Sequence, residues 1–483
     1  MPVVAICTLH YVGLESVSYG NRMHRTYVRA LIEEEHMGMT KRRLLAPIAI
    51  IGVAGFALAG CSGGPGSAGN NNNGGSTGGA DDNVVTVYGT IADAEADFLE
   101  QSWADWETEN GIDIQYEASK EFEAQIAVRA QGGNAPDIAI FPQPGLLADM
   151  ASRDFLVPAP DAVARNVADG WTEDWANYGT VDGTLYGAPL MASVKGWIWY
   201  SPSFFADNGY EVPTDWPGLL DLTAQIQSDT GNPPWCIGFG SDAATGWPGT
   251  DWIEDLVLRQ SGADVYDQWV ANEVPFTDPQ IRSAFDEFGK IALNPDYVNA
   301  GFGGTDTIVT TPFGDAAGAL VSGDCALHHQ ASFFDGFITD AGGSVAEDGD
   351  IWAFLMPPYA AGGSSDGAVV TGGGEIVGAF DDSESTQKVL EYLSSPEWAN
   401  SRVALGGVIS ANKGLDPANA SSNILKEAIS ILQADTTTFR FDASDLMPSA
   451  VGAGTFWKGM VDWVNGTATD SVLEQIEAGW PST

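Results

Sequence analysis

Basic side chains are scarce in this sequence, which sets 20 Lys and Arg against 65 Asp and Glu. From Cys61 onward the balance is 14 against 61, a formal net charge of −47. A surface of that sign repels nucleic acid and anionic ligands and has no basic patch to grip phosphate. It reads as a solvation device on an outward-facing protein and identifies no ligand by itself. Histidine is nearly missing from the same region, where His328 and His329 are the only pair. Adjacent residues on a strand point to opposite faces, so these two cannot ligate one metal. There is no Walker loop, dinucleotide fingerprint or His-Glu-x-x-His. The Gly-x-Ser-x-Gly matches at Gly60–Gly64 and Gly74–Gly78 lie where no strand-turn-helix elbow can form. These absences argue against nucleophilic or metal catalysis, and no cofactor or metal is expected.

Long apolar runs are missing as well. The stretch Leu44 to Leu58 follows Met39-Thr-Lys-Arg-Arg43 and is too short for a stable span, but it has the charged front and greasy middle of an export signal. It closes on Leu58-Ala-Gly-Cys61, which resembles the bacterial lipobox, so Cys61 is expected to carry lipid and to begin the mature chain. Residues 1–38 place Glu33, Glu34 and Glu35 ahead of the basic region, which suits no signal and marks an upstream start outside the fold. Residues 61–83, rich in Gly, Asn and Ser, read as a flexible tether that reaches on the order of 25 Å. The expected location is the extracellular face of the cytoplasmic membrane. Cysteine is rare too: past Cys61 only Cys236 and Cys325 remain, and an oxidising compartment favours a disulfide between them over two buried thiols.

The body, 84–483, is long enough for two lobes. Val84-Val-Thr-Val-Tyr88 reads as a strand, and Leu99, Trp103 and Trp106 as the inner stripe of a helix. Ile112, Ile114 and Tyr116 alternate, Phe122 and Ile126 mark a second helix, and Pro136-Asp-Ile-Ala-Ile-Phe141 is a buried strand. This βαβαβ pattern predicts an α/β sheet. Further helices are expected at 254–260, 281–292, 387–393, 422–433 and 471–476, with short strands at 236–239 and 326–329. Asp251-Trp-Ile-Glu254 fits a capping box, and Pro396 after Ser395 sits where a first-turn proline belongs.

Tryptophan is the abundant exception, at 16 residues, many in polar, Gly-rich surroundings. A pyranose offers an apolar C–H face that stacks on indole and a hydroxyl rim that needs polar partners. Gly240-Ser-Asp-Ala-Ala-Thr-Gly-Trp247-Pro-Gly-Thr-Asp251-Trp252 supplies both in one loop running into a helix.

With Asn134-Ala-Pro-Asp-Ile-Ala139, Tyr186-Gly-Ala-Pro189, Gly196-Trp-Ile-Trp-Tyr200, Pro234-Trp-Cys-Ile-Gly238, Gly323-Asp-Cys-Ala-Leu-His-His-Gln330 and Gly372-Gly-Gly-Glu375, the body resembles the extracellular solute-binding proteins of ABC transporters. The likeness is to family 1, the carbohydrate class, and to its α-glucoside-binding members most of all. The resemblance implies a two-lobed periplasmic-binding-protein-like α/β fold with discontinuous lobes joined by hinge strands, lobe 1 over 84–190 and 323–375, lobe 2 over 195–322 and 376–483. It implies a monomer that closes on a neutral sugar between the lobes and hands it to an ABC membrane permease, with membrane attachment through the lipid and no nucleic acid partner. Carried over by position, the ligand-binding residues are Thr90, Asp93, Gln143, Lys195, Trp247, Asp251, Trp252, His329, Gln330, Phe333, Gly373, Gly374 and Glu375. Each has a plainer structural reading: Asp251 as a helix cap, Lys195 as a partner of surface acids, Gly373 to Glu375 as a hinge turn, His329, Gln330 and Phe333 as core packing. Two other functions stay open at this level: a lipid-anchored glycoside hydrolase, which needs two carboxylates spaced across a sugar cleft, and a receptor for a cationic solute such as a polyamine.

Overall fold

The computed structural model describes residues 83–298, 303–360, 368–434 and 436–481. Cys61, the signal before it and the tether as far as residue 82 lie outside the described residues. The eleven strands among the described residues are β1 (Val84–Gly89), β2 (Asp113–Ala118), β3 (Ile138–Phe141), β4 (Thr180–Val181), β5 (Thr184–Leu185), β6 (Gly187–Val194), β7 (Trp197–Tyr200), β8 (Leu327–Gln330), β9 (Trp352–Leu355), β10 (Val369–Ala379) and β11 (Thr438–Phe441). β1 lies parallel to β2 and β3. The crossover helices Asp93–Asn110 and Phe122–Gln131 bury Leu99 and Trp103, and Phe122 and Ile126, as the spacing predicts. Trp106, on the same expected stripe, is half-buried and stacks on Tyr392 at 4.8 Å.

A six-stranded sheet runs β11-β10-β3-β1-β2, with β6 along the other side of β10. β10 is shared end to end: Val369–Gly372 pair with β11 and Ile376–Ala379 with β3, while β6 pairs with Gly372–Gly378. The junction Gly373-Gly374-Glu375 pairs with β6 alone. A Cβ on Gly374 would lie 2.3 Å from the Met191 carbonyl oxygen, so the close approach of β6 requires glycine there. Lys195 and Gly196 then carry the chain from β6 into β7, the centre of a second sheet of order β8-β7-β9.

Two sets of contacts join segments that the expected lobe ranges assign to different lobes. β8 and β9, placed in lobe 1 by the sequence reading, pair with β7 in the second sheet. The end of β10 and the helices Glu384–Leu393 and Pro396–Ala404, placed in lobe 2, belong with the first sheet, where Val389 and Trp398 share a core with Val85 and Ile138. Trp252, Phe288, Leu327 and Trp463 form the core of the other side.

Ser395 caps its helix as expected, accepting from the Trp398 N–H, with Pro396 in the first turn. The expected strand at 236–239 is not a ladder: isolated bridges form at Trp235 and Gly240, because Pro233-Pro234 and the glycines interrupt pairing. Cys236 and Cys325 are joined by a disulfide, with Cα atoms 5.9 Å apart and a sequence separation of 89. Replacing both by serine is expected to lower the unfolding free energy by about 2 to 5 kcal/mol, read by urea denaturation under non-reducing conditions.

Candidate functional site

The site is organised by the helix Trp247–Ser261. Gly246 enters it at φ +119°, and a Cβ there would lie 2.3 Å from the Trp457 carbonyl oxygen, so only glycine makes this turn. Trp247, Asp251 and Asp255 follow at four-residue intervals and share a face, with Glu254 beside them. The helix starts five residues earlier than the capping-box reading placed it. Asp251 therefore sits a full turn inside, and its carboxylate meets a side chain instead of a free N–H.

That side chain is Lys195. Its ammonium lies 2.8 Å from Asp251 Oδ1, contacts Asp442, and stands 5.1 Å from the Trp247 ring centroid. Its partners are buried acids, not surface ones. Burial alone would lower the Lys195 pKa, but Asp251, Asp442, Asp445 and Glu254 surround it and hold it well above the ordinary value. The acids feel the reverse: desolvation raises Asp251, Asp442 and Asp445 in spite of the ammonium, and pushes Glu254 up to about 7. Asp251, Glu254 and Asp442 each offer an oxygen within 4.8 Å of the others, the donor set for a hard cation. The Lys195 ammonium already contacts two of the three.

Behind this group Asp255 accepts from Arg259 Nη1 at 2.7 Å, Thr371 Oγ1 at 2.6 Å and His329 Nε2 at 2.8 Å. Burial would raise its carboxyl; these donors hold it below the usual range. Asp255 thereby ties the helix to β10 and β8. His328 faces the other way and donates from Nδ1 to the Cys236 carbonyl at 2.8 Å; burial depresses it to about 3, so it is neutral.

Above Lys195 opens a cavity of about 1860 Å³. One wall is aromatic: Trp247 packs 5.0 Å from Phe313 and 6.3 Å from Phe333, and Trp457 lines the same space. The facing wall carries Thr90, Glu95, Gln143 and Glu375. Glu375, desolvated and near Glu95 with Arg402 opposing, is pushed up to about 7. At the rim Lys120 and Asp242 pair at 3.4 Å, both well exposed, a contact of small worth.

Of the residues proposed from sequence, the cavity brings together Thr90, Gln143, Lys195, Trp247, Asp251, Phe333, Gly373, Gly374 and Glu375. Trp252, His329 and Gln330 lie behind its wall. Trp252, one residue round the helix from Asp251, is buried on Phe288 at 4.7 Å and on His329 at 4.2 Å. Gln330 Oε1 accepts from the neighbouring Ala331 N–H. Asp93 opens its helix, and its side chain lies outside the described residues. Glu95, Phe313, Asp442, Asp445 and Trp457 also line the cavity and are not among the ligand groups proposed from sequence.

Residues 92–400 match the family model for bacterial extracellular solute-binding proteins. The chain is 36% identical over 400 residues to the osmoprotective compounds-binding protein GgtB of Synechocystis, covering 82% of this chain and 92% of that protein. It is 38% identical over 407 residues to the alpha-glucosides-binding periplasmic protein AglE of Rhizobium meliloti, covering 82% and 87%. In fold it is similar to the solved bacterial solute receptor AcbH, described with a preference for β-D-galactopyranose, at TM-score 0.69 and 19% identity over 82% of this chain and 97% of that one. These relatives are receptors, not hydrolases, and the chain belongs to the bacterial extracellular solute-binding proteins, the two-lobed receptors of ABC importers.

Proposed function

We propose that this protein is a lipid-anchored receptor, monomeric and held at the outer face of the cytoplasmic membrane through Cys61, that binds a neutral α-glucoside or short oligosaccharide and delivers it to an ABC permease. The observation that carries the reading is the two-faced cavity: aromatic Trp247, Phe313, Phe333 and Trp457 beside the charged Lys195, Asp251 and Asp442. A pyranose needs both, an apolar platform for its C–H face and acceptors and donors for its rim. AglE, named for binding alpha-glucosides, is similar along most of the chain. The junction Gly373-Gly374-Glu375 and the link Lys195-Gly196 are the hinge we assign, where few residues change course for the lobes to close on ligand. The lipid anchor keeps the receptor near its permease and raises the local concentration of the docking partner.

A thermal-shift panel on the purified full-length protein tests the cargo. An α-glucoside is expected to raise the melting temperature, by the equivalent of about 2.7 kcal/mol at a hundred times its Kd, and to be recovered intact. Binding should be almost independent of ionic strength. A shift with a polyamine or a zwitterionic osmolyte, and with no saccharide, overturns the sugar assignment.

A further inference from the structure

One group at the floor has no part in sugar contact. Glu254 is fully buried one turn below Asp251 and does not line the cavity. Its Oε1 accepts from the Ser444 N–H at 3.0 Å, whereas its Oε2 has no hydrogen-bond partner. The charged and titratable groups around it come from every neighbouring element. Asp251, Asp255 and Arg259 share its helix, Lys195 comes from the β6–β7 link, and His329 from β8. Tyr266 comes from the helix Ala263–Val270, and Asp442 and Asp445 from the turn after β11. Asp255 is matched by Arg259, Thr371 and His329. That leaves Asp251, Glu254, Asp442 and Asp445 around a single ammonium, three of them within 4.8 Å of one another. Three buried carboxylates and a half-buried fourth against one ammonium leave negative charge uncompensated, which one further cation would reduce.

We propose that this cation is a proton held on Glu254, and that ligand binding over Asp251 and Lys195 tightens its hold, so that the receptor takes up a proton as it binds. The geometry favours a proton over a metal, because Lys195 already contacts Asp251 and Asp442, and a second full cation there would sit against the ammonium. A proton on Glu254 removes the negative charge from a buried carboxylate whose second oxygen has no hydrogen-bond partner. The pKa raised to about 7 agrees with this placement. A neutral saccharide displaces water from the wall formed by Asp251, Asp442 and Asp445, which makes each remaining unpaired negative charge costlier and the proton harder to remove. The ligand half of the proposal rests on the saccharide reading given above; the proton itself does not.

Two measurements on the full-length protein separate them. Without ligand, urea denaturation from pH 4.5 to 8 is expected to show stability falling as pH rises through about 7, because the folded state keeps a proton that the unfolded chain has released. Glu254→Gln keeps the shape and removes the titration, so its slope over that range should be shallower; equal slopes overturn the assignment to Glu254. With an α-glucoside, calorimetry in two buffers of different ionisation heat near pH 7 should show proton uptake on binding by the wild type, with Kd several-fold weaker at pH 8.5 than at pH 6. No uptake overturns the linkage. Stabilisation of the wild type, but not of Glu254→Gln, by millimolar Ca²⁺ or Mg²⁺ would show that the missing charge is a metal and overturn the proton. If no saccharide binds at any pH, the cargo reading and the linkage both fall, and the denaturation profiles alone decide whether Glu254 holds a proton.

Discussion

Lys195→Met is expected to destabilise the folded protein by about 3 to 5 kcal/mol at pH 8, with the deficit shrinking toward pH 5. The lysine is buried, and its ammonium is shared by Asp251 and Asp442, themselves buried. Methionine fills much of the same space but leaves both carboxylates without their cation, in surroundings where desolvation already raises them. Their folded-state pKa values must then rise further above the unfolded ones. Groups raised in this way contribute stability that is present at low pH and lost as pH climbs through the folded-state values, so the variant should be at its best in acid. Urea denaturation at several pH values checks this. A deficit equal at all pH values would mean that packing, not charge, is what lysine supplies. Adding Asp251→Asn to Lys195→Met should restore part of the loss at pH 8, because the pair is in direct contact and its energies do not add.

The framework of the fold was readable because its signals are local. Alternation at Ile112, Ile114 and Tyr116 and the helical stripe of Leu99 and Trp103 announce elements whose burial depends on their own spacing. The division between lobes was not readable in the same way. β10 serves β11 with its first half and β3 with its second, and nothing in Val369 to Ala379 says where the chain has changed partners. The pairing of β8 and β9 with β7, and of the end of β10 with β3, therefore crosses ranges drawn from the resemblance at Ser322 and Glu375.

For the cavity, sequence pointed to a loop that lines it but not to its electrostatics. Trp247 between glycine and proline was legible as an unusual placement for a large aromatic, and Asp251 as a polar neighbour. The partner acids were not, because Asp442 and Asp445 sit among the 61 acids from Cys61 onward and reach the floor only through the pairing of β11 with β10. Three assignments by position went behind the wall for a geometric reason. Trp252 is a single helical step from Asp251, about 100° round the axis, and His329 faces Asp255 across the core. Positional transfer picks a segment, and the local geometry of helix or strand decides which of its residues faces the cavity.

Trp247→Ala is expected to weaken saccharide binding by roughly 100-fold, about 2 to 3 kcal/mol, with a much smaller effect on folding. The indole begins the helix, rests against Phe313 and Phe333, and faces the cavity, so its removal opens the aromatic wall at its centre. It also takes away the ring beside the Lys195 ammonium, 5.1 Å from the indole centroid, which keeps that cation close to both stacking surface and acids. Trp247→Phe retains a platform of smaller area and should lose about ten-fold or less. Calorimetric titration with an α-glucoside gives both Kd values, and thermal melts without ligand separate binding from folding. A sugar stacked on Trp247 should also change tryptophan emission in the wild type and much less in Trp247→Phe. Unchanged affinity in Trp247→Ala would put the sugar against the opposite wall, near Thr90, Gln143 and Glu375, and remove the aromatic platform from the mechanism of binding.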